Sequence, residues 1–317
     1  MKLLDKDKIA FLFAGQGSQK IGMAKDLYEN IEICKEVIDK GEDILKMPIK
    51  EMMFNGSEDE IQATENAQPA IILESIAIMR ALQEENIQAT YTAGLSLGEY
   101  ASLVYGNVLS EKDALEVVKE RGRIMGSSLP KGLGKMAAIL KLDDEKVKEL
   151  INKCSVKGII EGVNYNCPGQ IAIAGENEAI DMAILEAKEM GGKAVELKVS
   201  GPFHSSLLKN ASEDFYEVLK DIEVKSPLLK VYSNYKGALY EDKDDIKMIL
   251  KKHIMSPVYF EKILRDMMDR GVDTFIEIGP GKALSGFVKR INRKVRTFNI
   301  DSAETFRKTV DSLRNLD

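Results

Sequence analysis

Ser96 stands between two glycines in Gly94-Leu95-Ser96-Leu97-Gly98, after the β-prone run "ATYTAG" and before residues that favour a helix. A nucleophile on a strand-to-helix turn needs this pattern. The turn is so tight that side chains at 94 and 98 would strike neighbouring backbone, and it pushes the hydroxyl out above the sheet. The amide of Leu97, opening the next helix, then points to where an oxyanion would develop. GxSxG recurs by chance, so its weight here comes from the strand before it and the helix after it.

A serine nucleophile needs a base. The chain holds two histidines, His204 and His253. His204 lies in "VSGPFHSSLL", on a Gly-Pro loop at a junction between units, a common setting for sites. His253, in "MILKKHIMSP", reads as part of an exposed, lysine-rich helix end. His204 is therefore the expected base. Cys34, Cys154 and Cys167 are widely spaced and, with so few histidines, offer no recognisable metal-ligand spacing. "GQGSQK" lacks the third glycine of a dinucleotide loop, and "GPGKA" lacks the first glycine and the Ser/Thr of a phosphate loop. No cofactor is expected.

These residues must be held by the surrounding elements. "KIAFLFAG" reads as a buried strand, followed by the turn "GQGSQKIG" and one helical segment, "MAKDLYENIEICKEVIDK". "QPAIILESIAIMRALQEEN" is apolar around most of its circumference, with Pro69 near the N-terminus of the expected helix. "LLKVYSN" and "VDTFIEIG" are further strands, each leading into turn residues and a helix. This alternation predicts a mostly parallel sheet. From Lys135 to Val199 the order changes to strand, helix, strand, strand, helix, strand, which is the ferredoxin-like unit. The expected organisation is α/β, with a main domain over 1–130 and 200–317 and an inserted subdomain over 131–199.

The 317 residues are 44% hydrophobic and 30% charged, an ordinary globular make-up. A net charge of −6 gives no support for nucleic-acid binding, and any anionic partner must meet a local basic patch. "MKLLDKDKIAFLF" has too short an apolar run for a secretory signal, and no run is long enough for a membrane span. The odd, unpaired cysteines predict reduced thiols and a cytoplasmic location.

In order along the chain, "FAGQGSQ", "GLSLGEYASL", "KERGRIM", "NYNCPGQIAIAG", "VSGPFHSSLL" and "IEIGPGKALSGFVKRI" resemble the malonyl-CoA:acyl-carrier-protein transacylases of fatty-acid synthesis. The acyltransferase domains of polyketide synthases share the pattern and are the alternative; a serine thioesterase or hydrolase would share only the elbow. The resemblance implies an α/β-hydrolase-like main domain with a ferredoxin-like insertion. It also implies transfer of malonyl from malonyl-CoA, through an ester on Ser96, to the phosphopantetheine thiol of holo acyl carrier protein. His204 matches the family base, Gln16 and Leu97 the two backbone donors of the oxyanion hole, and Arg121 the arginine that binds the malonyl carboxylate. A planar guanidinium suits that task, although composition alone would make Arg121 an ordinary solvated helix residue. Leu95 stands where the family usually has histidine, and Ser256 and Tyr259 where asparagine and glutamine are usual. The carbonyl that orients the base is expected near position 259. The family is commonly monomeric, and its carrier protein is typically acidic. Lys282, Lys289, Arg290 and Arg293, with Lys289 and Arg293 at i, i+4 spacing, are the candidate docking cations.

Overall fold

The computed structural model describes residues 5–130 and 132–315. The limits expected at 1, 131 and 317, and the first four residues of the N-terminal stretch, lie outside the described residues. Among the described residues ten strands run in chain order: β1 (Ile9–Phe13), β2 (Tyr91–Gly94), β3 (Lys135–Leu140), β4 (Ile160–Cys167), β5 (Gln170–Gly175), β6 (Lys193–Glu196), β7 (Lys230–Ser233), β8 (Ala238–Leu239), β9 (Thr274–Ile278) and β10 (Arg296–Ile300). They form two sheets. The larger has the order β10-β9-β1-β2-β7-β8 and the smaller β4-β5-β3-β6. In the larger sheet all neighbours are parallel except β7 and β8. The smaller sheet is wholly antiparallel, with two helices, Asp144–Cys154 and Asn177–Glu189, completing the ferredoxin-like order.

β1 is buried at every residue, as its unbroken "IAFLF" requires of a central strand covered on both faces. It pairs with β2 on one side and β9 on the other. The nucleophile turn therefore leaves the middle of the sheet, at the carboxyl ends of its strands, where open α/β sheets place their ligands. β4 of the smaller sheet is stitched to the main unit at Val258, just before the helix Phe260–Asp269; the Val258 carbonyl accepts from the Tyr165 amide at 2.9 Å and its amide donates to the Val163 carbonyl at 2.8 Å. That stitch carries β4 to the edge of the main sheet's crevice.

Three local expectations differ from the structure. The helix expected to begin near Pro69 runs Thr64–Glu84, so Pro69 lies inside it. Proline there forfeits its bond to the Glu65 carbonyl, and Glu65 is exposed, so water can satisfy the group. The extra turn has a use, described below. The single helix expected after "GQGSQKIG" is two, Lys25–Asn30 and Glu32–Leu45, broken at the extended Ile31. The Asn30 side chain donates to the Asp26 carbonyl at 2.9 Å, a local bond that competes with continuing the helix. Neither edge strand of the larger sheet is among the expected ones: β8, only two residues long, follows β7 where turn residues and a helix are expected, and most of "RTFNI" in β10 stays partly exposed and shows no clean apolar pattern. No helix among the described residues is long and apolar enough to cross a membrane.

Candidate active site

Ser96 has φ = 51°, a left-handed conformation that is strained for any residue with a side chain. It is imposed by the glycines around it. A Cβ on Gly94 would fall 1.9 Å from the Gly98 carbonyl carbon, and one on Gly98 would fall 2.2 Å from the Phe13 carbonyl oxygen. β2, β1 and the turn thus press together closely enough to force the hydroxyl outward. Asn234, directly after β7, clamps the turn: its Oδ1 accepts from the Ser96 amide at 2.9 Å and its Nδ2 donates to the Gly94 carbonyl at 2.8 Å. Sequence reading missed Asn234, although a polar residue at the carboxyl end of a central strand was the available signal.

His204 arrives from the loop after β6 with φ = 64° and is 3% exposed. Its Nδ1 lies 2.8 Å from the His253 carbonyl, which can only accept, so Nδ1 carries the proton. Nε2 is then free to accept from Ser96 Oγ, 2.6 Å away. Burial, reinforced by the charge of Arg121, holds the imidazole down to about 3, so it is neutral near pH 7 and Nε2 has a free lone pair. The orienting carbonyl is thus that of His253, not one near position 259. Tyr259 faces elsewhere, its ring stacked on Tyr165 at 5.5 Å. His253 itself corrects a second expectation. It is fully buried rather than exposed, because the helix Ile246–His253 turns its last residue inward, beneath His204.

Arg121, on the helix Glu111–Ser127, is 1% exposed. Its Nη2 donates to Ser96 Oγ at 3.3 Å, and its guanidinium lies 5.5 Å from the centre of the Tyr100 ring. Among the described residues it makes no ion pair, and its Nε has no hydrogen-bond partner. Burial pulls its pKa below the usual arginine value. A desolvated guanidinium in this state is costly and attracts an anion.

Gln16 lines the cavity beside Ser96, and Leu97 follows the nucleophile in the turn. The Gln16 side chain donates to Thr64 Oγ1 at 3.0 Å and accepts from Gln68 Nε2 at 3.1 Å. Both partners come from the turn of helix before Pro69, which therefore serves to hold the "GQGSQ" loop in place. Among the described residues, neither the Gln16 nor the Leu97 amide donates to a backbone or side-chain acceptor. Unspent donors next to a nucleophile are what an oxyanion hole needs.

The cavity holding these groups measures about 140 Å³, a few water volumes at about 30 Å³ each, and suits a short acyl group. Met125, Met136 and Phe203 make it apolar, while Asn164 and Asn166 enter from β4. Leu95 lines it too and packs on the cluster around Val258 and Phe260, so an apolar contact occupies the position next to the nucleophile. A larger cavity of 1050 Å³, lined by Tyr165, Tyr259, Lys230 and Arg265, contains none of the residues around Ser96. Its size does not make it the reaction site.

The candidate docking cations surround the helix Ala283–Ile291. Lys282, Arg290 and Arg293 are exposed. Lys289 is not free in the same way, since its ammonium donates to the carbonyls of Arg293, at 3.3 Å, and Val295, at 2.6 Å, closing the helix end. The i, i+4 spacing therefore brings Lys289 onto the Arg293 backbone rather than setting two parallel charges.

The acyl transferase domain family matches residues 10–306. The chain is 43% identical over 309 residues to the malonyl CoA-acyl carrier protein transacylase of Bacillus subtilis, covering 97% of this chain and 98% of that one. It is similar to the crystal structure of the Clostridium perfringens malonyl CoA-acyl carrier protein transacylase, with a TM-score of 0.94, 43% identity and 97% of both chains covered. A malonyl-transacylase solved with the holo form of a type II polyketide acyl-carrier protein matches with a TM-score of 0.93 at 32% identity, over 96% of this chain and 99% of that one.

Proposed function

The chain belongs to the acyl transferase domain family, and we propose that Ser96 takes malonyl from malonyl-CoA as an ester and hands it to the thiol of holo acyl carrier protein. The activity is malonyl-CoA:acyl-carrier-protein transacylation, supplying malonyl thioester for fatty-acid elongation. The observation that carries the acyl choice is the buried guanidinium of Arg121, which has no carboxylate partner among the described residues and lies 3.3 Å from Ser96 Oγ. Malonyl presents a carboxylate just beyond its reacting carbonyl, and a planar fork binds that carboxylate with two parallel hydrogen bonds.

The steps follow from the geometry. Ser96 Oγ attacks the thioester carbonyl while its proton passes to His204 Nε2. The carbonyl oxygen becomes an oxyanion facing the Gln16 and Leu97 amides. Collapse breaks the C–S bond, and the coenzyme A sulfur leaves with the proton from His204. The carrier thiol then gives its proton to the same nitrogen, attacks the ester, and restores Ser96. The main domain, 1–130 and 200–317, supplies nucleophile, base, donors and arginine, and the inserted unit, 131–199, closes the cavity with Asn164 and Asn166. Every group with an assigned role lies on one chain, so a monomer acting in the cytoplasm suffices. A serine hydrolase fits less well, because such an enzyme orients its histidine with a carboxylate, whereas His204 is held by a peptide carbonyl.

Intact mass tests the reading. Incubation with malonyl-CoA should add one malonyl group, and holo acyl carrier protein should remove it while water does not. Loss of the adduct at the same rate with and without carrier would mean hydrolysis. A polyketide carrier protein in a parallel reaction reports which acceptor is preferred.

Carrier docking is assigned to Lys282, Arg290 and Arg293, with Lys289 contributing from the same helix end. Raising salt should raise the apparent KM for the acidic carrier protein severalfold more than that for a small pantetheine thiol, since exposed charges are screened beyond about 8–10 Å at physiological ionic strength. Equal responses to salt would remove this face from consideration.

A further inference from the structure

Behind the catalytic imidazole lies a second buried ring that the chemistry above leaves unused. His253 stacks on His204 with centroids 4.9 Å apart and an interplanar angle of 26°. Neither of its ring nitrogens has a hydrogen-bond partner among the described residues. Its Nδ1 lies 3.3 Å from Oε2 of Glu99, and both side chains are 0% exposed. Glu99 is firmly held: Tyr240 donates its hydroxyl to Oε1, and the Asn234 amide donates to Oε2 at 3.1 Å. Asn234 is also the clamp on the Ser96 amide. A buried carboxyl thus sits behind both halves of the reacting pair, joined to Ser96 through one residue, Asn234, whose backbone N–H meets Glu99 and whose side chain meets Ser96, and to His204 across one ring.

We propose that Glu99 is the positioning residue that replaces the acid absent from the Ser96–His204 pair, its carboxylate acting across the stacked His253 ring as counter-charge to the imidazolium. This rests on the assignment of Ser96 and His204 as nucleophile and base. When the Ser96 proton moves to His204 Nε2, a cation forms in a narrow cavity that is already lined by the Arg121 guanidinium. Bound malonyl offsets one charge. Glu99 offsets the other, and from its place against His253 it does so without competing for the carbonyl that fixes the His204 tautomer.

The arrangement gives the reaction a pH dependence with a definite owner. The groups facing Glu99 are Tyr100 on its own helix, Asn234 after β7, Tyr240 after β8, His253, and Arg121 through its charge. Burial pushes the Glu99 carboxyl up to about 7, against the Tyr240 and Asn234 hydrogen bonds and the Arg121 charge. Burial holds His204 at about 3 and His253 well below the usual histidine value, so neither imidazole titrates near neutrality. The tyrosines are raised, and stay neutral. A carboxyl with a raised pKa is ionised above it and neutral below, so the counter-charge is present above about pH 7 and lost beneath it. The acid limb of the rate therefore belongs to Glu99, not to the catalytic histidine.

The test is single-turnover acylation of Ser96 by malonyl-CoA, read by quenched intact mass from about pH 5.5 to 8.5. Wild type should climb about ten- to a hundredfold to a plateau, with its midpoint near 7. Glu99→Gln should stay near the low-pH rate throughout. Tyr240→Phe removes one hydrogen bond that favours the ionised carboxyl and should move the midpoint to higher pH. Retention of the wild-type limb and plateau by Glu99→Gln would overturn the proposal, and so would an unmoved midpoint in Tyr240→Phe. If Glu99→Gln does not fold, Tyr240→Phe decides alone. Wild type that never acquires malonyl would overturn the Ser96 reading itself, an outcome distinct from a normal adduct with no limb.

Discussion

Arg121→Ala lowers kcat/KM for malonyl-CoA by about 10²–10⁴-fold and leaves acetyl-CoA little affected, or slightly favoured. The physical reason is the state of the side chain: nearly fully buried, without an ion pair among the described residues, and aimed at Ser96 Oγ. Removing one partner of a buried charge pair costs about 3–5 kcal/mol, because the other charge is left desolvated and alone. Here the orphan would be the malonyl carboxylate. Acetyl lacks that group, and so loses nothing when the arginine goes. Arg121→Lys restores a positive charge but not the planar fork, and should recover part of the malonyl rate. The deciding measurement is kcat/KM for the two acyl-CoA substrates on wild type and variant. Parallel losses would show that Arg121 supports the fold and not the choice of acyl group.

The second large effect concerns the reacting pair. Ser96→Ala should acquire no malonyl at any time of incubation. Folding is spared, because alanine has the same Cβ that serine already places at φ = 51°. His204→Ala should still form the ester, but with both half-reactions slower by about 10²–10⁴-fold, the span of one general base. The two half-reactions share the penalty because His204 Nε2 is within 2.6 Å of Ser96 Oγ and serves both deprotonations from one position. Rapid-quench mass spectrometry measures each half separately. A slow first step with a normal second step would mean that the carrier thiol is deprotonated by another group.

Much of this molecule was legible without coordinates, for reasons that are local. The nucleophile turn is written in its glycines: a Cβ on Gly94 would strike Gly98 within the motif itself, while the clash that bars one on Gly98 comes from Phe13 of β1 and appears only in the folded sheet. The alternation of strands and helices, and its change to βαββαβ in the middle of the chain, follow from side-chain periodicity. His204 could be preferred because histidines are few and its loop sits at a junction. Arg121 was legible only through resemblance, since a helical arginine is ordinarily solvated.

What tertiary structure alone decided are contacts between residues distant in sequence, where local pattern is silent or misleading. "MILKKHIMSP" has the look of a solvated helix end, yet the packing of its helix carries His253 under His204 and offers its carbonyl to Nδ1. Glu99 belongs to the nucleophile motif by sequence, but its role comes from Asn234, Tyr240 and His253, more than 130 residues away. The helix start before Pro69 overrode proline's preference because Thr64 and Gln68 are needed to hold Gln16. Backbone sterics and periodicity act over a few residues and are written in the chain. Which buried charges face one another depends on how whole elements pack, and that appears only once the sheets are closed against their helices.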